Sequence, residues 1–218
     1  MMGLYDLGDR RNVECLKNAV ETYFRLQQPR GQRTVTLQLS AFGGESMTID
    51  RRGWSYNSAF CTRPYASMTA AGIGSQAILC RMLQKAGALD ADVEKKIVES
   101  INAGLAWMQD FYSVDESRQE NSDGSNALGE SRFYHNYYLF ALEKAATMAE
   151  VKRMGIWSWY RDLCAALLCD QYPDGRFYNE CEWSGPDVAT AFGLLVLKNA
   201  SSQIRIDLTG GQAVSGPK

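Results

Sequence analysis

The stretch Gln171-Tyr-Pro-Asp-Gly175-Arg-Phe177 decides how this chain is read. A helical pattern, Trp157 to Gln171, runs into it, and a second opens at Asp187 behind it. A glutamine at a helix C-terminus can hydrogen-bond carbonyls orphaned there, and the Asp-Gly pair makes the turn that follows. The aromatic residue two positions after Gly175 then packs over the helix end, so the segment works as a staple between helices. Its elements recur upstream. Gly53-Trp-Ser-Tyr56 precedes Ser67-Met-Thr-Ala70 much as Gly175-Arg-Phe-Tyr178 precedes Val188-Ala-Thr-Ala191, with nearly equal gaps from glycine to threonine. A degraded copy stands at Gln27-Gln-Pro-Arg-Gly31, with Gly53-Trp54 as its displaced end, and Gly104-Leu-Ala-Trp107-Met108 carries the leading part alone. Internal similarity of this kind marks stacked helical hairpins.

Working outward, Asn12 to Gln28 has helical spacing at Val13, Leu16, Val20 and Phe24, with Asn12 as N-cap and Pro29 and Gly31 as the stop. Residues 34 to 58 lose that period. Thr34 to Ser40 alternates like a strand, and Ser-Met-Thr-Ile after Gly44 returns as its partner, a small β excursion. Ser67 opens a helix of small and apolar residues ending at Lys85-Ala-Gly87. Asp92 caps an amphipathic helix with the stripe Val93, Ile97, Ile101, Leu105 and Met108. Residues 113 to 131 are polar and long for a helix connection, which makes them a mobile loop or a lid. Phe133 to Ala149 is apolar on several faces, and Asp187 caps a last helix whose Val188 to Leu197 offers water only Thr190, the pattern of a buried helix. Amphipathic and apolar helices alternate, which predicts two layers, outer and inner.

Composition bounds the rest. The 218 residues carry Lys+Arg 23 against Asp+Glu 25, one histidine, and 45% hydrophobic residues. A chain of this length buries about 70% of its unfolded surface. A formal net charge of -2 removes the phosphate-neutralising excess that nucleic-acid binding needs. No apolar run approaches a membrane span or a signal peptide, so the sequence reads as cytoplasmic, unless it is part of a longer precursor. The six cysteines form no CxxC pair and no zinc spacing, and they read as reduced thiols, with Cys164 and Cys169 buried in a helix.

The segment Gln171 to Phe177 resembles the QW motif, Q-x-x-x-G-x-W, of the squalene cyclase and protein prenyltransferase superfamily, with Phe177 in place of tryptophan. The fit extends from about Asn12 to Ala200 and is nearest to bacterial proteins with prenyltransferase and squalene oxidase repeats. The resemblance implies an all-α fold of about six helices in antiparallel hairpins, forming part of an α/α toroid with a β insertion near residues 34–58. Residues 1–11 and 201–218 would be tails around a domain at 12–200. A closed toroid has more helices, so the chain would be a half-ring that self-associates or a fragment lacking its N-terminal half.

In that resemblance Gln171, Gly175, Phe177 and Trp107 are structural. Trp54, Tyr56, Tyr134, His135, Tyr138, Asp174 and Tyr178 would border a concave pocket for an apolar ligand, an isoprenoid or lipid, or for an extended one. The catalytic residues are left unassigned. The cyclases' Asp-x-Asp-Asp acid cluster has only Asp90-Ala-Asp92-Val as its nearest string, and there Asp92 serves better as a helix cap. The prenyltransferases hold zinc with Asp, Cys and His; His135, Asp174 and Cys181 lack that spacing, so no metal and no cofactor is assigned. Two other readings stand beside this one. Toroids also act on carbohydrates, where aromatic faces stack sugars and acids such as Asp174, Glu180 or Glu182 move protons. A non-catalytic scaffold module uses the same curved surface without chemistry.

Overall fold

The computed structural model of the chain describes residues 10–29, 33–38, 46–56, 63–127, 132, 134–177 and 185–207. They are mostly helical: α1 (Arg10–Leu26), α2 (Ala66–Lys85), α3 (Ala91–Asp110), α4 (His135–Met148), α5 (Trp159–Cys169) and α6 (Pro186–Asp207). Between α1 and α2, β1 (Thr34–Gln38) pairs antiparallel with β2 (Ser46–Asp50), and between α3 and α4 a short β3 (Gln119–Glu120) pairs with β4 (Asn126–Ala127).

Helices α2, α4 and α6 lie side by side in a row, with α4 in the middle. On their flanks α1 and α3 pack on α2, and α5 packs on α4 and α6. The composition of α2 explains the closest of these contacts. Gly74 faces the backbone of Ala145, where an added Cβ would sit 3.7 Å from the nearest atom, so the two helices approach almost backbone to backbone. The three row helices begin at one end. Ser67 N donates to Ser117 Oγ (3.0 Å), and His135 meets Val114 O of the same connection. Asn136 Nδ2 reaches Phe177 O (3.2 Å), whose own N–H donates to Thr190 Oγ1 (3.2 Å) on α6.

The main core collects Trp54, Ile73, Trp107, Tyr138, Leu142, Leu163 and Phe177 between the row and α3 and α5, and a second cluster joins Leu16 and Val20 of α1 to Leu79, Leu83 and Ile97. The β1–β2 hairpin is tied to α3 by the buried Leu37 and by Gln109, which accepts from Gln38 N and donates to Thr36 O, both at 3.0 Å.

Several expectations are corrected. Helix α1 begins at Arg10, so Asn12 lies inside it, and Asp90 rather than Asp92 occupies the N-cap position of α3, its side chain bound to Lys17 Nζ at 3.0 Å. Helix α6 continues to Asp207, beyond the expected domain limit. It is not buried all round either, because Val188, Leu194 and Leu195 are exposed on a helix whose packed neighbours among the described residues are α4 and α5. Cys15 and Cys169 are exposed free thiols and Cys164 is half-buried, while Cys61 and Cys181 lie outside the described residues. The described part of the 113–131 segment is neither lid nor free loop: Ser113, Ser117, Gln119 and Glu120 are buried, and β3 continues into an antiparallel bridge with Tyr65.

Candidate functional site

Three features stand out, and only the first is built from the sequence signals described above. The first is a pair of staples. Gln27 forms an antiparallel bridge with Trp54, and Gln171 forms one with Phe177. Trp54 N donates to Thr69 Oγ1 (3.0 Å), the counterpart of the Phe177–Thr190 contact. In each case the ring lies on a glycine one helical turn further on. A Cβ on Gly72 would meet the Trp54 ring at 2.5 Å, and one on Gly193 would meet the Phe177 ring at 2.9 Å. The glutamines do not serve their own helix ends. Gln27 Nε2 donates to Arg52 O and Ser100 O, each at 3.0 Å, and Gln171 Nε2 to Gly175 O at 3.1 Å in the turn; Tyr23 O, near the end of α1, accepts from the Gln27 backbone N–H at 3.1 Å and from the Trp54 indole N–H at 2.9 Å. Trp107 belongs to no such bridge. It sits in the last turn of α3, fully buried, with its indole N–H on Glu120 Oε2 at 2.7 Å.

That last contact belongs to the second feature, a buried ionic network that the sequence pattern gave no reason to expect. Arg51 pairs with Glu120 Oε1 at 2.7 Å and with Asp110, donates to Gly124 O, and lies 4.6 Å over the Phe111 ring. Gln28 Nε2 adds a donor to Glu120 Oε2 at 3.1 Å. Burying two charges is tolerated because every Glu120 oxygen and most of the guanidinium edge are engaged. Glu120 and Gln28 of this network line a cleft of about 640 Å³, together with Arg25, Arg33, Arg63 and the Asn121–Gly124 turn.

The third feature is the face of the row turned away from α3 and α5. On α2 the half-buried Ala71, Ser75 and Ile78 share it; on α4, Tyr137, Phe140 and Lys144; on α6, Val188, Phe192 and Leu195. Phe192 contacts both Tyr137 and Phe140, with ring centroids 5.6 and 5.2 Å apart, and Lys144 Nζ sits 5.3 Å over Phe140. Tyr23 closes one edge through a 2.9 Å bond to Ser75 Oγ. Burial raises the Tyr137 hydroxyl pKa, with the Tyr56 and Tyr23 hydroxyls adding to it, so this phenol stays protonated.

The seven candidate pocket residues scatter over these features. Of the six that lie among the described residues, none lines the cleft. Trp54 and Tyr138 are core residues; the Tyr138 hydroxyl donates to Ser113 O at 2.6 Å and is pushed well above its usual range by burial. His135 is 0% exposed. Its Nε2 lies 2.7 Å from Val114 O, which only accepts, so that nitrogen carries a proton; Nδ1 faces Asp170 Oδ2 at 3.6 Å, an ion-pair distance. The neighbouring His135, helped by Arg132, holds the Asp170 carboxyl below the usual carboxylate range against the opposing effect of burial. The acid next to His135 is thus Asp170, not Asp174. Asp174 is exposed in the staple turn, bonds Arg176 Nε at 2.8 Å, and is held low by that contact. Tyr56 and Tyr134 are exposed, 56% and 42%, and Tyr178 lies outside the described residues. Tyr134 has φ 57°, a left-handed conformation that costs a side-chain-bearing residue energy at the entrance to α4. Among the described residues no three His, Cys, Asp or Glu side chains come together as metal ligands, and no helix is long and apolar enough to cross a membrane.

No family model, no curated protein and no solved structure matches this chain.

Proposed function

We propose that the chain is a terpenoid-cyclase- and prenyltransferase-like helical domain, an arc of an α/α toroid, whose row face binds an isoprenoid or lipid chain. The observation that supports this is the strip of Tyr137, Phe140, Phe192, Val188 and Leu195, apolar side chains left half-open across adjoining helices. A helix face with no partner is ordinarily polar, and a contiguous apolar one marks an interaction surface. Binding is assigned, and no catalytic residue. His135 and Tyr138, the proton carriers nearest the helix starts, are committed to backbone carbonyls.

Titration with a fluorescent farnesyl probe and a fluorescent fatty-acyl probe tests this. At least one binds, and Phe192→Ser weakens it about tenfold, roughly the transfer energy of one buried aromatic ring. Leu168→Ser, at an exposed position on α5, leaves binding unchanged. Failure of both probes, or equal loss in both variants, overturns the reading.

A further inference from the structure

The cleft beside the buried ionic network is separate from the row face, and its chemistry is the opposite. Arg25, Arg33 and Arg63 line it together with Gln28, Ser55, Asn121, Ser122 and Asp123. Two arginines contribute spare charge. Arg25 bonds only Thr22 Oγ1 (3.2 Å) and Arg33 uses one nitrogen on Gly124 O (3.0 Å), so neither guanidinium has a carboxylate partner among the described residues. Glu120, which also lines it, is already neutralised by Arg51. Arg25 and Arg33 thus bring two guanidinium groups to a cavity whose carboxylates are Asp123 and the already paired Glu120, and an oxyanion placed between the two arginines gains charge-assisted hydrogen bonds.

The turn that Arg33 touches is held by its own hydrogen bonds. Asn121 N donates to Ser125 O (2.8 Å), Gly124 N to Asn121 O (2.9 Å) and Ser125 N to Asp123 Oδ1 (2.9 Å), which fixes the turn. Gly124 adopts φ +80°, and a Cβ there would lie 3.3 Å from Arg33 Nη1 and 3.7 Å from Arg51 Nη2, so the glycine lets the backbone reach both guanidinium groups. This turn adds uncharged donors and one carboxylate beside the arginines. A volume of about 640 Å³ exceeds what a bare inorganic ion fills and falls within the range of small-molecule sites.

We infer that this cleft binds a small hydroxylated molecule carrying an oxyanion, a sugar phosphate or sugar acid, with the anion on Arg25, Arg33 and Arg63 and hydroxyl groups on Asn121, Ser122 and Asp123. The inference is independent of ligand binding on the row face.

Isothermal titration calorimetry with glucose 6-phosphate, glucuronate, glucose and inorganic phosphate tests it. One of the two anionic sugars binds, which of them identifying the anion; glucose does not, and inorganic phosphate binds about tenfold more weakly than the sugar it resembles. The double variant Arg25→Gln, Arg33→Gln, at exposed positions, weakens the anionic sugar about a hundredfold, and raising salt weakens it in the unaltered protein. No heat with either anionic sugar, equal binding of glucose, inorganic phosphate binding as tightly as glucose 6-phosphate, or salt-independent binding overturns it. Farnesyl-probe binding measured on the same double variant stays unchanged, which keeps this outcome distinct from that of the row face.

Discussion

Gln27 and Trp54 pair across an antiparallel bridge although the whole β1–β2 hairpin lies between them in sequence. The pairing matches that of Gln171 and Phe177, which are joined by a tight turn. Two staples of one design therefore hold α1 to α2 and α5 to α6, and the β hairpin is an excursion out of the first. The staples rest on close contact between a ring and a glycine, and that contact gives a sharp comparison inside one helix. Gly72→Ala drives a Cβ into the Trp54 ring and lowers stability by about 1–3 kcal/mol. Gly74→Ala meets only ordinary contacts at 3.7 Å and beyond and raises stability by up to about 1 kcal/mol through helix propensity. Urea unfolding of the two variants checks the opposite signs.

The network around Arg51 predicts a different kind of loss. Glu120→Gln leaves a nearly buried guanidinium with Asp110 alone and weakens the acceptor for the Trp107 indole; the cost is about 3 kcal/mol. Replacing both partners, Arg51→Met with Glu120→Leu, recovers part of this because no uncompensated charge remains. A denaturation series on the two variants and the parent measures the coupling.

The acid limb of stability follows from Asp170. Its folded pKa is depressed by His135 and Arg132, so its contribution is fully present above the unfolded carboxylate value near 3.8 and is lost as pH falls through the lower folded value. Asp123 and Asp174 are shifted in the same direction and act in the same window. Urea midpoints measured from pH 5.5 down to 2.5 fall in the parent, and Asp170→Asn starts lower and falls less.

The thiols divide by exposure. Cys15 and Cys169 are open to solvent, whereas burial raises the Cys80 and Cys164 thiols, which keeps them protonated and slow. Peptide mapping after a brief maleimide pulse finds Cys15 and Cys169 labelled ahead of Cys80 and Cys164.

How far the sequence carried this reading differs from element to element. The helices and the β excursion were legible because their periods differ, 3.6 against 2, and because Pro29 and Gly87 punctuate them. The staple was legible as a spacing, Gln to Gly to aromatic, with a threonine later. Its hydrogen bonds were not, since Gln27 is satisfied by Arg52 and Ser100, distant residues that no local pattern pairs with it. The exposed face of α6 was hidden because Val188 to Leu197 looks the same whether a helix is enclosed or stands last in a row. The cleft was missed for the opposite reason. Arg25, Arg33, Arg63 and the Glu120–Gly124 stretch come from separate segments, and only tertiary contact brings them to one cleft. A hint was present in Asp123-Gly124, a turn pair amid polar residues in a connection too long for its neighbours.

Native mass spectrometry of the purified protein tests the central claim, an apolar ligand held on the row face, most directly. The account predicts a mass above that of the bare 24.3 kDa chain, the excess released on denaturation as an isoprenoid or lipid and missing from Phe192→Ser. A bare mass for the parent that stays bare after incubation with farnesol and with oleate would contradict it.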